Sequence, residues 1–154
     1  NDIPEFNLFD NDNKIFTRPR LLPPSKFQKS LIESSLISEG CIINAKEINK
    51  SVIGIRSRIG VGTVIQNSYV MGNDYYQSIE DMNDDIYNDK LLVGIGERCF
   101  INNALVDKNV RIGNDVYING GKHLENCSNE LYAVKDGIVV IKKGAIIPNN
   151  FVVK

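Results

Sequence analysis

Two lysines hold the positions most suited to binding chemistry. Lys108 follows Val106-Asp107, and Lys142 follows Ile141. A lysine ammonium is a compact cation with three donors. Two of them, with an arginine from the N-terminal linker, could hold a phosphorylated metabolite by charge-assisted contacts. That requires a fold that brings residues 108 and 142 together; taken by themselves, surface lysines are the safer reading. His123 is the only histidine. A histidine can serve as general base, but the sequence offers no obvious carboxylate orienter for it, and its polar surroundings read as a solvated loop.

Other candidates are weaker still. Glu80, Asp81, Asp84 and Asp85 form an acidic cluster that could serve a metal or acid–base step, but the spacing is not that of an EF-hand, and a solvated loop is the default reading. Gly60-Val61-Gly62 and Gly94-Ile95-Gly96 resemble pieces of phosphate loops without completing a P-loop or dinucleotide fingerprint, and read as corners of a repeating chain. Cys41, Cys99 and Cys127 are far apart and contain no CxxC pair, which argues against zinc and for buried thiols in a reducing compartment. Asn-x-Ser matches at Asn49 and Asn126 stand without any other sign of secretion.

The 154 residues suffice for one domain with a core. The chain is 42% hydrophobic and 24% charged, with formal net charge -1. No basic field points to nucleic acid. No apolar run approaches the ~20 residues of a membrane span.

The element that must position any site is a repeat. Ile53, Ile59, Ile65 and Met71 are spaced by six, and Gly54, Gly60 and Gly72 follow three of them. Ile37, Ile43 and Ile48 continue the series upstream with one shortened step. A second block runs Ile95, Ile101, Val106, Ile112 and Ile118, and a third Ile141, Ile147 and Val153. Period six fits neither an amphipathic helix nor a long alternating strand. It fits a chain that turns a corner every six residues, so that three sides close a triangular coil with the aliphatic residue inward. Small residues beside it suit the corners and crowded backbones. Coils then stack as short parallel strands in an all-β solenoid.

Two insertions break the repeat, at about residues 73–93 and 119–137. The first is acidic, carries Tyr75 and Tyr76, and predicts a short helix near Ser78 to Asn88. The second is polar with Gly120-Gly121 as a turn signal. Such insertions loop outward, often on a binding face. Residues 1–28 lack the repeat and are rich in proline and aromatics (Pro4, Phe6, Phe9, Phe16, Pro19, Pro23, Pro24). They read as an extended linker that lies on a preceding domain; the β-solenoid domain is expected over residues 29–154.

Seven strings carry a family resemblance: FTRPRLLPPSK (16–26), SEGCII (38–43), SVIGIRSRIG (51–60), VMGNDYYQ (70–77), VGIGE (93–97), VDKNVRIGNDV (106–116) and DGIVVIKKGAIIP (136–148). In order and spacing the chain resembles the C-terminal domain of ADP-glucose pyrophosphorylases (glucose-1-phosphate adenylyltransferases), closest to the cyanobacterial and plastid branch. The MGNDYYQ insertion and the PRLLPP linker are its most specific parts. The resemblance implies a left-handed parallel β-helix. It also implies membership of a tetramer that joins ATP to glucose 1-phosphate with Mg²⁺, giving ADP-glucose and pyrophosphate for glycogen or starch synthesis. Partners would be an N-terminal catalytic domain, homo- or hetero-tetramer subunits, and effectors such as 3-phosphoglycerate and phosphate. The compartment would be bacterial cytoplasm or plastid stroma. Lys108, in the DKN motif, and Lys142, in the terminal VIK motif, match allosteric anion-binding lysines of that branch. Arg18 and Arg20 are expected nearby without a defined role. The Gly-rich nucleotide loop, metal-binding carboxylate and sugar-phosphate lysine of the family have no counterpart in residues 1–154, so no catalytic residue is assigned here. Residues 121–133 (GKHLENCSNELYA) depart from the usual plant string and are shorter. Two other readings compete: a six-residue-repeat acyltransferase dependent on His123, and a solenoid that only mediates association.

Overall fold

The computed structural model describes Asp10, residues 12–16 and residues 18–154; Pro4, Phe6 and Phe9 of the expected linker lie outside the described residues. From Lys26 onward the chain winds as a three-sided parallel β-helix. Its first face stacks Lys26–Phe27, Ile42–Ile43, Arg58–Ile59, Gly94–Ile95, Arg111–Ile112 and Ile146–Ile147. The second stacks Leu31–Glu33, Glu47–Asn49, Val64–Gln66, Phe100–Asn102, Tyr117–Asn119 and Val152–Val153. The third stacks Leu36–Ile37, Val52–Ile53, Tyr69–Val70, Ala104–Val106 and Ile138–Ile141. Every pairing between coils is parallel, with like residue over like: Ile48 pairs with Ile65, Ile65 with Ile101, and Ile101 with Ile118. The first strand starts at Lys26, on the linker side of the expected boundary at residue 28.

The inward aliphatic residue of each strand builds the core. Ile43, Ile48, Ile53, Ile59, Ile65, Ile101, Ile118, Ile141 and Ile147 are fully buried. Each such side chain stabilises the stack by roughly 1.5–3 kcal/mol relative to exposure. One expected inward position is corrected: Val70 fills it, and Met71 is only partly buried. The reason lies in the corner between the second and third faces, which the chain turns in five residues rather than six. Ser34, Lys50, Asn67 and Asn103 take this corner with positive φ (49°, 46°, 45° and 48°). A serine column makes the tight turn satisfiable. Ser35, Ser51 and Ser68 each donate to the carbonyl two residues back, and accept the N–H of Ser51, Ser68 and Ala104 in the following coil at 3.1 Å. Buried hydroxyls are tolerated only when bonded in this way.

Both insertions acquire structure. In the first, a helix spans Ile79–Tyr87, within the expected range. Ser78 is its N-cap and forms a capping box with Asp81. The second, read as a polar loop, forms an antiparallel hairpin, Cys127–Ser128 with Tyr132–Lys135, that extends the third face beyond Ile138–Ile141. Val134 and the half-buried Tyr132 supply the apolar contacts that hold it there. Cys41 and Cys99 are buried, and burial pushes both thiols up; Cys127, expected inside, is exposed on the hairpin. No described helix is long and apolar enough to cross a membrane.

Coil spacing limits what the column of Gly60, Gly96 and Gly113 can carry. A Cβ on Gly96 would lie 2.4 Å from the Gly113 carbonyl oxygen. Gly144, at an open corner with φ 69°, has nothing within 4 Å of such a Cβ. Gly96→Ala is expected to destabilise by about 1–3 kcal/mol, and Gly144→Asn by no more than about 0.5 kcal/mol, since asparagine tolerates this backbone. Thermal unfolding of the two variants checks this; equal losses would remove coil spacing as the constraint.

Candidate functional site

The corner from the third face to the first carries the charged residues. Val106 pairs with Ile141, the Asp107 N–H donates to the Ile141 carbonyl at 3.0 Å, and the Gly144 N–H donates to the Lys108 carbonyl at 2.9 Å. These bonds set the register: Asp107 lies over Lys142, and Lys108 over Lys143. Residues 108 and 142 are thus on adjacent coils at the same corner, one step out of alignment. Asn109 and Gly144 turn it with φ of 59° and 69°.

Each lysine is engaged by a different insertion. Lys108 Nζ lies 2.8 Å from Asp74 Oδ1 at the start of the first insertion. Asn109 completes that contact: its side-chain amide donates to Asp74 Oδ2 at 2.9 Å, and its Oδ1 accepts the Asp74 N–H at 2.8 Å. Lys143 Nζ lies 3.8 Å from Asp74 Oδ2. Lys142 Nζ turns toward the hairpin, where it donates to Ser128 Oγ at 3.1 Å and to the Asn129 carbonyl. The Lys108 hydrogen bond, then that of Asn109, holds the Asp74 carboxyl below the usual carboxylate range. Asp74, Asn109 and Lys143 had no distinguishing signal in sequence, because the contact between Asp74 and Lys108 spans 34 positions.

The remaining candidates resolve into structural roles. Asp81 caps the helix. Asp85 accepts from Arg111 Nη1 at 2.5 Å and from Gln77 Nε2 at 2.7 Å, and Arg111 also donates to the Leu91 carbonyl. That clamp fixes the helical insertion against the first face. Glu80 and Asp84 are exposed, and no group of three or more His, Cys, Asp or Glu converges as a metal site among the described residues. His123 is exposed in the turn after Gly121. Gly60, Gly94 and Gly96 line an open groove of about 320 Å³ along the first face with residues 90–93, and Gly62 turns the corner beyond it with φ 76°. Arg18 and Arg20 are exposed, and Arg20 donates to the Arg18 carbonyl at 3.4 Å rather than to the lysine corner.

Three-sided coils of about six residues per side, broken by a helical insertion and a hairpin, with a cationic corner, define a β-helix domain of the six-residue-repeat class. A family model described as the GLGC left-handed parallel β-helix domain matches residues 20–152. The chain belongs to that family, the C-terminal β-helix domain of ADP-glucose pyrophosphorylases.

Asp74 gives the corner a defined acid response. Its carboxyl is lowered in the folded state, so the contact with Lys108 and Asn109 stabilises above the ordinary carboxylate value of 3.8. That contribution is lost as pH falls from there through the depressed folded value. Unfolding of wild type and Asp74→Asn between pH 6 and 3 is expected to show a stability difference at pH 6 that shrinks toward pH 3; a constant difference would contradict it.

Proposed function

We propose that this chain is the regulatory and oligomerisation domain of a glucose-1-phosphate adenylyltransferase. The family supplies the class; the carrying observation is the coil register that puts Lys108 and Lys142 on one corner of adjacent coils. A phosphorylated effector such as 3-phosphoglycerate, or phosphate itself, binds there through charge-assisted contacts to the two lysines. The catalytic work, ATP and glucose 1-phosphate to ADP-glucose and pyrophosphate with Mg²⁺, belongs to an N-terminal domain. This chain by itself makes no ADP-glucose. In the tetramer, homomeric or heteromeric, the second face is suited to subunit contact. Its outward side presents Leu31, Tyr117 and Val152 exposed, with Tyr117 stacked on Phe100 at 5.0 Å between ring centroids. The setting is glycogen or starch synthesis, in bacterial cytoplasm or plastid stroma. The exposed His123, with no carboxylate bonded to it among the described residues, gives the acyltransferase reading no support.

Lys108→Ala and Lys142→Ala in the full-length protein are each expected to weaken 3-phosphoglycerate binding about three- to tenfold, as suits charge-assisted contacts at a partly exposed site. Equilibrium binding at fixed ionic strength measures this. Unchanged affinity in both variants would refute the assignment.

A further inference from the structure

One carboxylate already sits where cationic and amide donors converge. Asp74 receives Lys108 Nζ at 2.8 Å on Oδ1 and the Asn109 amide at 2.9 Å on Oδ2, with Lys143 Nζ 3.8 Å from Oδ2. The coil register explains why Lys143 rather than Lys142 shares this position. Lys143 lies directly over Lys108, whereas Lys142 lies over Asp107 and is bonded to the hairpin. The cluster is open to ligands: the side chains of Lys108, Asp74 and Lys143 are 30%, 42% and 63% exposed.

A carboxylate and a phosphoryl group ask for the same partners, anionic oxygens against ammonium and amide N–H. Phosphate carries more charge and a third acceptor oxygen. Asp74 is also not a free side chain. Its own N–H is bonded to Asn109 Oδ1, and the preceding Asn73 donates its amide to the Arg56 carbonyl at 2.8 Å. Beyond it the insertion is held by Tyr76, whose hydroxyl donates to the Gly40 carbonyl, and by the clamp of Asp85 with Arg111. Whatever replaces the Asp74 carboxylate therefore acts on the root of the helical insertion.

We propose that Asp74 is a built-in competitor for the phosphoryl group of a phosphomonoester or orthophosphate: its carboxylate fills the anion position between Lys108 and Lys143, and an arriving phosphate displaces it. Lys143 is thereby a third cationic contact of the site. Exchange of one anion for the other lowers apparent affinity, because the incoming phosphate must overcome an existing ion pair. It also loosens residues 74–77 from the corner, which links occupancy to the insertion. The inference rests on the corner being an anion site.

Orthophosphate binding to the full-length protein, by titration calorimetry at fixed ionic strength, tests both parts. Asp74→Asn keeps the backbone N–H for Asn109 Oδ1 and one side-chain oxygen for the Asn109 amide, but it removes the charge and leaves Lys108 without its carboxylate acceptor; it should bind phosphate about three- to tenfold tighter than wild type. Lys143→Ala should bind about threefold weaker or less tightly still. In the wild type, saturating phosphate should speed amide hydrogen exchange at residues 74–77. If Lys108→Ala weakens binding while Asp74→Asn binds no tighter than wild type, the competitor is refuted and the lysine corner stands. If neither wild type nor Asp74→Asn binds phosphate, both fall.

Discussion

Everything in this molecule depends on the parallel register of one coil against the next. The inward isoleucines stack in three columns, and their burial makes each coil a template for its neighbour. Hydrogen bonds between short strands then fix position to a single residue, since a slip by one would turn every inward side chain outward. The register tolerates large insertions. Ile59 pairs with Ile95 and Val106 with Ile141 as faithfully as Ile43 pairs with Ile59. Thus residues more than thirty positions apart meet at one corner without any long-range element built to bring them there.

The two insertions give that corner its chemistry. The β-helix supplies backbone corners with Lys108, Asn109, Lys142 and Lys143. The helical insertion supplies Asp74 against the first pair, and the hairpin supplies Ser128 and Asn129 against Lys142. Neither insertion is a loose loop. One is tied down by a capping box and the ion pair of Asp85 with Arg111, and the other continues a sheet. A ligand that alters the lysine contacts therefore acts on two ordered segments rather than on solvent, which is the physical requirement for a binding event to be felt elsewhere.

The architecture was legible because burial repeats. The isoleucine series and the glycines beside it expose the coil, and interruptions in the series locate both insertions. Met71 was misplaced because a period of six hides a five-residue side, and the cue that would have revealed it is the serine column at 35, 51 and 68. The hairpin was missed because its strands are short, one is fully exposed and the other buries only Val134, so alternation between Cys127 and Lys135 carries little signal. The lysines were legible by resemblance to family motifs, not by their own chemistry. Asp74, Asn109 and Lys143 were not legible, because ion pairing across coils depends on register, and register becomes visible only once the coils are stacked. The acidic cluster, read by default as a solvated loop, has two members with structural roles that depend on the folded helix: Asp81 in its cap and Asp85 in the clamp with Arg111.

The central claim is that coil register builds a single anion site from Lys108, Lys142 and Lys143. The most direct measurement is a crystal structure of the full-length protein soaked with 3-phosphoglycerate. The account expects the phosphoryl group at the corner within hydrogen-bond reach of Lys108, Lys142 and Lys143, with Asp74 moved away from Lys108. A phosphoryl group bound elsewhere, with the contact of Asp74 to Lys108 intact, would contradict it.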